Sequence, residues 1–184
     1  MTQTMLIPFP APRPLPPLSE ALRAQAVALP AAGTRDLPWL TDLYAESRMA
    51  ELLFTPWSIE QKRAFLDEQF ALQHAHFSKV HRRGDFRLVT RKDTPIGRFY
   101  FSRNGPEWVL IDILLKAESQ SGGIGGALVQ WLQQVAAEAG ADRLRLSVAY
   151  SNTRAHALYR RLGFEDASDI AGTHMSMIWR PIRP

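Results

Sequence analysis

A mixed α/β fold is what the sequence predicts, and three observations carry it. The apolar period switches from helical to alternating at Gly84. A near-continuous apolar run, Val109 to Leu115, marks an interior strand. A strand, a helix and another strand then follow within about forty residues, which requires a parallel pair joined by a crossover. The expected sheet is mixed and mostly antiparallel, with six to seven strands, one parallel pair and about four helices on its faces.

The elements follow in order. Seven of the thirteen prolines fall in the first thirty residues, so residues 1–24 are expected to form a flexible Pro-rich arm outside the fold, and 25–184 a single domain. A short strand is expected at Val27 to Ala31, then a helix capped by Thr34 and carrying Leu37, Leu40 and Tyr44. Ser58 and Gln61 have the spacing of a capping box, and Ile59, Leu66, Phe70, Phe77 and Val80 then mark one face of a helix reaching about Arg82. Phe86 to Arg91, Ile96 to Ser102 and Glu107 to Lys116 read as an antiparallel meander with turns at Lys92 to Pro95 and Arg103 to Pro106. Ile124, Leu128, Trp131, Leu132 and Val135 form a helical stripe ending at Gly140, and Leu144, Leu146 and Val148 alternate as the next strand. A short helix, Thr153 to Leu162, and strands near Phe164 to Ile170 and His174 to Arg180 close the chain.

Composition narrows the chemistry. With 184 residues, 46% hydrophobic and 22% charged, the chain suits one soluble domain, and no apolar run is long enough to span a bilayer. The prolines between Pro8 and Pro17 break any apolar helix of a signal peptide, and the absence of cysteine fits a reducing compartment; a cytoplasmic location is the expectation. Without cysteine there is no thiolate metal site and no cysteine acyl-enzyme. A formal charge of +4 favours polyanions in general, but Arg82-Arg83 and Arg160-Arg161 lack the interleaved aromatics of a nucleic-acid platform. His74 and His76, two apart, do not share a helical face, and no metal is assigned.

The segment Gln120-Ser121-Gly122-Gly123-Ile124-Gly125-Gly126 lies where the central strand runs into a helix. Unpaired amides and the positive end of the helix dipole converge there on a spot suited to a phosphate, and four glycines in five residues let a ligand reach those amides. A tight turn would need only one or two. Gly125-Gly126-Ala127-Leu128 supplies neither the lysine nor the hydroxyl of a nucleotide P-loop. A dinucleotide fingerprint would want a third glycine at 128 and an earlier place in the chain.

Gln120, Gly123 and Gly125 match the Gln/Arg-x-x-Gly-x-Gly/Ala loop of the GNAT superfamily of acyl-CoA N-acyltransferases. About thirty residues on, Asn152-x-x-Ala155-x-x-x-Tyr159-x-x-x-Gly163-Phe164 resembles that superfamily's later segment. The resemblance runs from about Val27 to the end. Pro56-Trp57-Ser58 through Phe70 and Gln73, with Ile111-Asp112-Ile113, looks like a broad bacterial branch whose acceptors are mostly unassigned. Ala117 stands where proline is common, and Ser121 and Gly122 replace a glycine and a basic or polar residue.

What the resemblance implies is transfer of an acetyl group from acetyl-CoA, as co-substrate, to a primary amine in a ternary complex. The parallel strands should splay, and the backbone of Ile113, Leu114 and Leu115 should pair with the pantetheine arm. Amides from Ser121 to Gly126 would take the pyrophosphate, with Gln120 in the loop, and Asn152 would bond the donor while capping its helix. Tyr159, otherwise a core tyrosine on the stripe of Ala155, Leu158 and Leu162, would serve as acid toward the leaving thiolate. Asp112 is either a general base or a structural acceptor. Glu51 and Trp57 are candidates for the acceptor pocket. The acceptor itself, a small molecule or a protein N-terminus or lysine, is open, as is the choice between monomer and homodimer. A non-catalytic acyl-CoA sensor and a nucleotide-binding oxidoreductase are the competing functions.

Overall fold

The computed structural model describes residues 7–182, except for the side chains of 168–171. The elements are α1 (Glu20–Ala24), β1 (Val27–Ala28), α2 (Leu37–Arg48), α3 (Ile59–Val80), β2 (Asp85–Arg91), β3 (Thr94–Ser102), β4 (Glu107–Leu115), α4 (Ile124–Glu138), β5 (Arg143–Ala149), α5 (Thr153–Arg161), β6 (Glu165–Ala171) and β7 (His174–Trp179). They build one seven-stranded sheet in the order β1-β2-β3-β4-β5-β7-β6. The fold is the mixed α/β sheet the sequence predicts. β4 is its middle strand, and β4 with β5 is the parallel pair.

Each face of the sheet carries its own core. Leu22 of α1 and the apolar side of α4, including Leu128, Trp131 and Leu132, pack with Phe99, Phe101, Leu110, Leu144 and Leu146 on one face. On the other, Leu37, Leu40 and Tyr44 of α2 and Leu66 and Phe70 of α3 cover Phe86, Leu88 and Tyr100. Neighbours in β3 thus alternate between cores, as the pleat demands.

The capping box of α3 is formed: Ser58 Oγ accepts from the Gln61 amide at 3.2 Å, and Gln61 Oε1 accepts from the Ser58 amide at 2.8 Å. Ile59 and Val80, however, are exposed, so the buried stripe of α3 is Leu66, Phe70 and, unexpectedly, His74 and Ser78. Thr34 does not cap α2. It opens a 3-10 turn in which the Asp36 carboxylate accepts from the Gly33 amide at 2.8 Å.

The arm also differs from its expectation. Residues 1–6 lie outside the described residues, but from Ile7 onward the chain packs on the domain. Proline removes donors and leaves carbonyls, and the domain supplies the donors. His74 Nε2 donates to Ile7 O at 2.5 Å, Arg103 to Pro14 O at 3.0 Å and Trp131 Nε1 to Pro17 O at 2.9 Å, while Arg87 donates to Arg13 O. Arg13 and Arg103 both clamp the buried Asp85 carboxylate, at 2.7 and 2.8 Å. Phe9 enters the core beneath α2 and α3, and Leu15 and Leu18 join the core beneath α4.

Candidate active site

The site begins as an irregularity in the sheet. β4 and β5 pair only from Glu107↔Arg143 to Leu110↔Leu146. At that point the β3–β4 register slips, Tyr100 facing Asp112 and Phe101 facing Leu110, so that Ile111 is an extra residue in β4. A bulge bends its strand. Beyond Leu110 the two parallel strands separate, and residues 111–115 keep β3 on one edge while the other has no strand partner. The consecutive residues Ile111 and Asp112 both turn toward the α2–α3 face.

The split opens into a cleft of about 260 Å³. One end is walled by Ile113, Leu114, Val148, Asn152, Ala155 and Tyr159. Asn152 caps α5, its Oδ1 accepting from the Ala155 amide at 3.1 Å, and so fixes the helix that carries Tyr159. Tyr159 is buried, packed edge-on against Phe164, and its phenol pKa is pushed up to about 12 by burial and then by the negative charge of Asp112. It therefore stays protonated at neutral pH.

The glycine loop adjoins this end without forming its wall. After a 3-10 turn at Ala117–Ser119, Gln120 Nε2 donates back to Leu115 O at 2.9 Å, tying the loop to the end of β4. Ser121 and Gly123 have φ of +66° and +81°, and Gly123 is the N-cap from which α4 starts. The first-turn amides of Ile124, Gly125 and Gly126 have no acceptor within the helix. Packing does not explain the glycines: a Cβ at 122 or 123 would meet nothing within 4 Å, and one at 125 would first meet Leu115 at 3.8 Å. The space in front of these amides is open, as a diphosphate cradle requires. Arg154, in the first turn of α5, donates to Ser121 Oγ at 2.6 Å. A cation thus reaches the loop from across the cleft, although the loop has none of its own.

The other end is walled by Tyr44, Ser47 and Arg48 of α2, Gln73 of α3, Arg98 and Asp112, with His174 at the margin. Arg98 is 2% exposed. Its Nε donates to Asp112 Oδ2 at 2.6 Å and its Nη2 to Gln73 Oε1 at 2.7 Å, and its guanidinium lies 5.4 to 5.8 Å from the rings of Tyr100, Tyr44 and Phe70. Burial works against this charge, but Asp112 and then the neighbouring tyrosines together outweigh it, and the Arg98 pKa is raised. Asp112 is therefore the partner of a buried cation.

Glu51 and Trp57 do not wall the cleft. Glu51 pairs with Arg48 at 2.7 Å on the surface, and Trp57 packs at a tilt against Phe65, their ring centres 5.2 Å apart. Tyr44, Ser47, Arg48 and Arg98, which do wall it, were not among the candidates read from the sequence. One signal for Arg98 was available: it is the lone charge of its strand, Asp112 is the lone charge within the apolar run of the next, and neighbouring strands can bring opposite charges together. Tyr44, Ser47 and Arg48 offered no such signal, since they read as ordinary positions on an amphipathic helix.

Solved structures share this fold, with its split parallel pair, over most of the chain. A PaiA N-acetyltransferase from Thermoplasma acidophilum in complex with coenzyme A superposes with a TM-score of 0.64 at 19% identity, over 84% of this chain and 99% of that one. A RimL ribosomal L7/L12 alpha-N-protein acetyltransferase in complex with coenzyme A does so at 0.62 and 16%, over 89% and 96%. Residues 46–164 match the Acetyltransferase (GNAT) family, and the chain belongs to it. Thialysine N-epsilon-acetyltransferases of Bos taurus and Sus scrofa are 37% and 33% identical over 81 residues, 42% of this chain and 48% of theirs. The chain spans about half the length of these curated relatives. Among the described residues, no helix is long and apolar enough to cross a membrane.

Proposed function

We propose that this protein transfers an acetyl group directly from acetyl-CoA to a primary amine, both substrates being bound at once in the cleft between β4 and β5. The observation that carries the reading is the unpaired edge of residues 111–115, which opens beside the glycine start of α4 and in front of the Tyr159 phenol. Two structural neighbours hold coenzyme A in their crystal structures, which supports the choice of donor.

In this reading the edge of Ile113, Leu114 and Leu115 pairs with the pantetheine arm as an added strand would. Amides of residues 121–126 take the diphosphate, Gln120 and Arg154 hold the loop, and Asn152 bonds the donor. When bound, acetyl-CoA supplies a thioester carbonyl. The acceptor nitrogen bonds to that carbon, the C–S bond breaks, and the sulfur leaves as a thiolate whose conjugate acid has a pKa near about 8.5. With its pKa raised to about 12, Tyr159 stabilises that sulfur chiefly by donating a hydrogen bond, since complete proton transfer would run uphill. Asp112 keeps the phenol protonated and Arg98 in place. No side chain is needed as an acyl carrier, and the amine's proton passes to water at the cleft mouth.

The tests separate binding from chemistry. Calorimetry with acetyl-CoA should give micromolar affinity, lost in Gly125→Glu, which sets a carboxylate in the cradle; a wild-type protein indifferent to the donor ends the reading. Tyr159→Phe should bind the donor normally and lower kcat by about tenfold to a hundredfold. Tight donor binding with no amine-dependent thiol release would leave an acyl-CoA sensor.

A further inference from the structure

We infer that the acceptor is a small amine that also carries a carboxylate, and that Arg48 is the residue that binds this carboxylate. The inference rests on the transferase reading above and adds the acceptor's chemical class to it.

The ionised groups facing the cleft are few. Among the described residues they are Arg48, Arg98 and Asp112; His174 and the hydroxyls of Tyr44 and Tyr159 line the cleft as well. Asp112 is committed to Arg98 at 2.6 Å, and Arg98 is 2% exposed, so this pair presents almost no net charge to a ligand. What remains is Arg48. Its guanidinium lies 5.8 Å from the centre of the Tyr44 ring, and its carboxylate partner, Glu51, stands outside the cleft wall. Both partners are about half exposed, at 47% and 56%, so water already competes for the pair and an incoming carboxylate can replace Glu51 at little cost.

Two consequences follow for the acceptor. Among the described residues, a diamine or polyamine finds no carboxylate on the cleft wall other than Asp112, which Arg98 already holds, to take its distal ammonium. An amine with a carboxylate a few bonds away meets the planar fork of Arg48, which matches a carboxylate with two parallel hydrogen bonds. Size sets the other limit, because about 260 Å³ must also admit the acetyl thioester.

The experiment uses matched pairs that differ only in the carboxylate: lysine against cadaverine, ornithine against putrescine, β-alanine against ethylamine. Acetyl-CoA-dependent thiol release gives kcat/KM for each. The carboxylated member should be preferred by about tenfold or more, the worth of one charge-assisted contact. Arg48→Gln should abolish the preference, and Glu51→Gln, which frees Arg48, should enlarge it. Equal or better turnover of the bare amines, a preference that survives Arg48→Gln, or turnover confined to peptide amines overturns the inference. Calorimetry with acetyl-CoA distinguishes the failures: donor binding without acetylation of any carboxylated amine sinks this inference alone, whereas no donor binding sinks the transferase reading.

Discussion

The two faces of the sheet solve the same packing problem with different materials. Beneath α4 and α5 the core is built almost wholly of aliphatic and aromatic side chains, from Leu22 through Leu128 and Leu132 to Met177. Beneath α2 and α3 it encloses Arg98, His74 and Ser78, and the Tyr100 hydroxyl there has no hydrogen-bond partner among the described residues. In the proposed function the first face supports the donor end of the cleft and the second the acceptor end. A common donor needs only a rigid platform with exposed amides, whereas selecting one acceptor needs charges and hydrogen bonds fixed in depth. The polar face bears the energetic cost of that selection.

The comparison is broken most severely at Arg98. Arg98→Met leaves the Asp112 carboxylate and the Gln73 carbonyl without their partner, and breaking a buried pair in this way should cost about 3 to 5 kcal/mol. Adding Asp112→Asn removes the orphaned charge and should recover part of the loss, which urea melts of the single and double variants will measure. On the other face, Leu132→Ala, at a site with 0% exposure, should cost about 2 to 5 kcal/mol through the cavity it leaves. Its effect should be one of stability alone, with acceptor discrimination unchanged. If Leu132→Ala alters discrimination as much as Arg98→Met does, the division of labour between the faces is wrong.

The same division explains what was legible in the sequence. Strand periodicity, the glycine loop and the position of β4 follow from local patterns, because the donor end is made of backbone and its glycines are contiguous. The acceptor end is assembled from α2, α3, β3 and β4, and Tyr44, Gln73 and Arg98 share no spacing rule. The bulge at Ile111, which creates the split, has no turn residue to mark it in a run interrupted only by Asp112. The arm misleads for a related reason: its prolines describe the chain's own conformation, while the donors that dock it, His74, Arg103 and Trp131, lie 67 to 114 residues away.

His74 offers a gentler probe of the polar face. Burial first, and then the nearby Arg98 charge, lowers its pKa below the ordinary value of about 6.5. The stability it lends is complete above that pH and is lost as pH falls through the lowered folded value, because the unfolded chain takes up the proton first. Thermal melts should show an acid limb that begins below about pH 6.5 and is reduced in His74→Gln, which keeps a donor for Ile7 O but does not titrate. An unchanged limb would assign acid sensitivity to other groups.

The smallest effect tests where the acceptor site ends. Ser58 caps α3 at an exposed position, and Ser58→Ala should cost about 1 kcal/mol of stability by freeing the Gln61 amide. Gln73, the α3 residue that holds Arg98, lies about four turns further along the helix. A helix anchored at its middle by Leu66 and Phe70 should keep Gln73 in place when its first turn frays. The variant should therefore melt lower yet retain wild-type kcat/KM ratios across the matched amine pairs. A shift in those ratios would mean that the entry angle of α3, and not only the Arg98 cluster, sets the shape of the acceptor pocket.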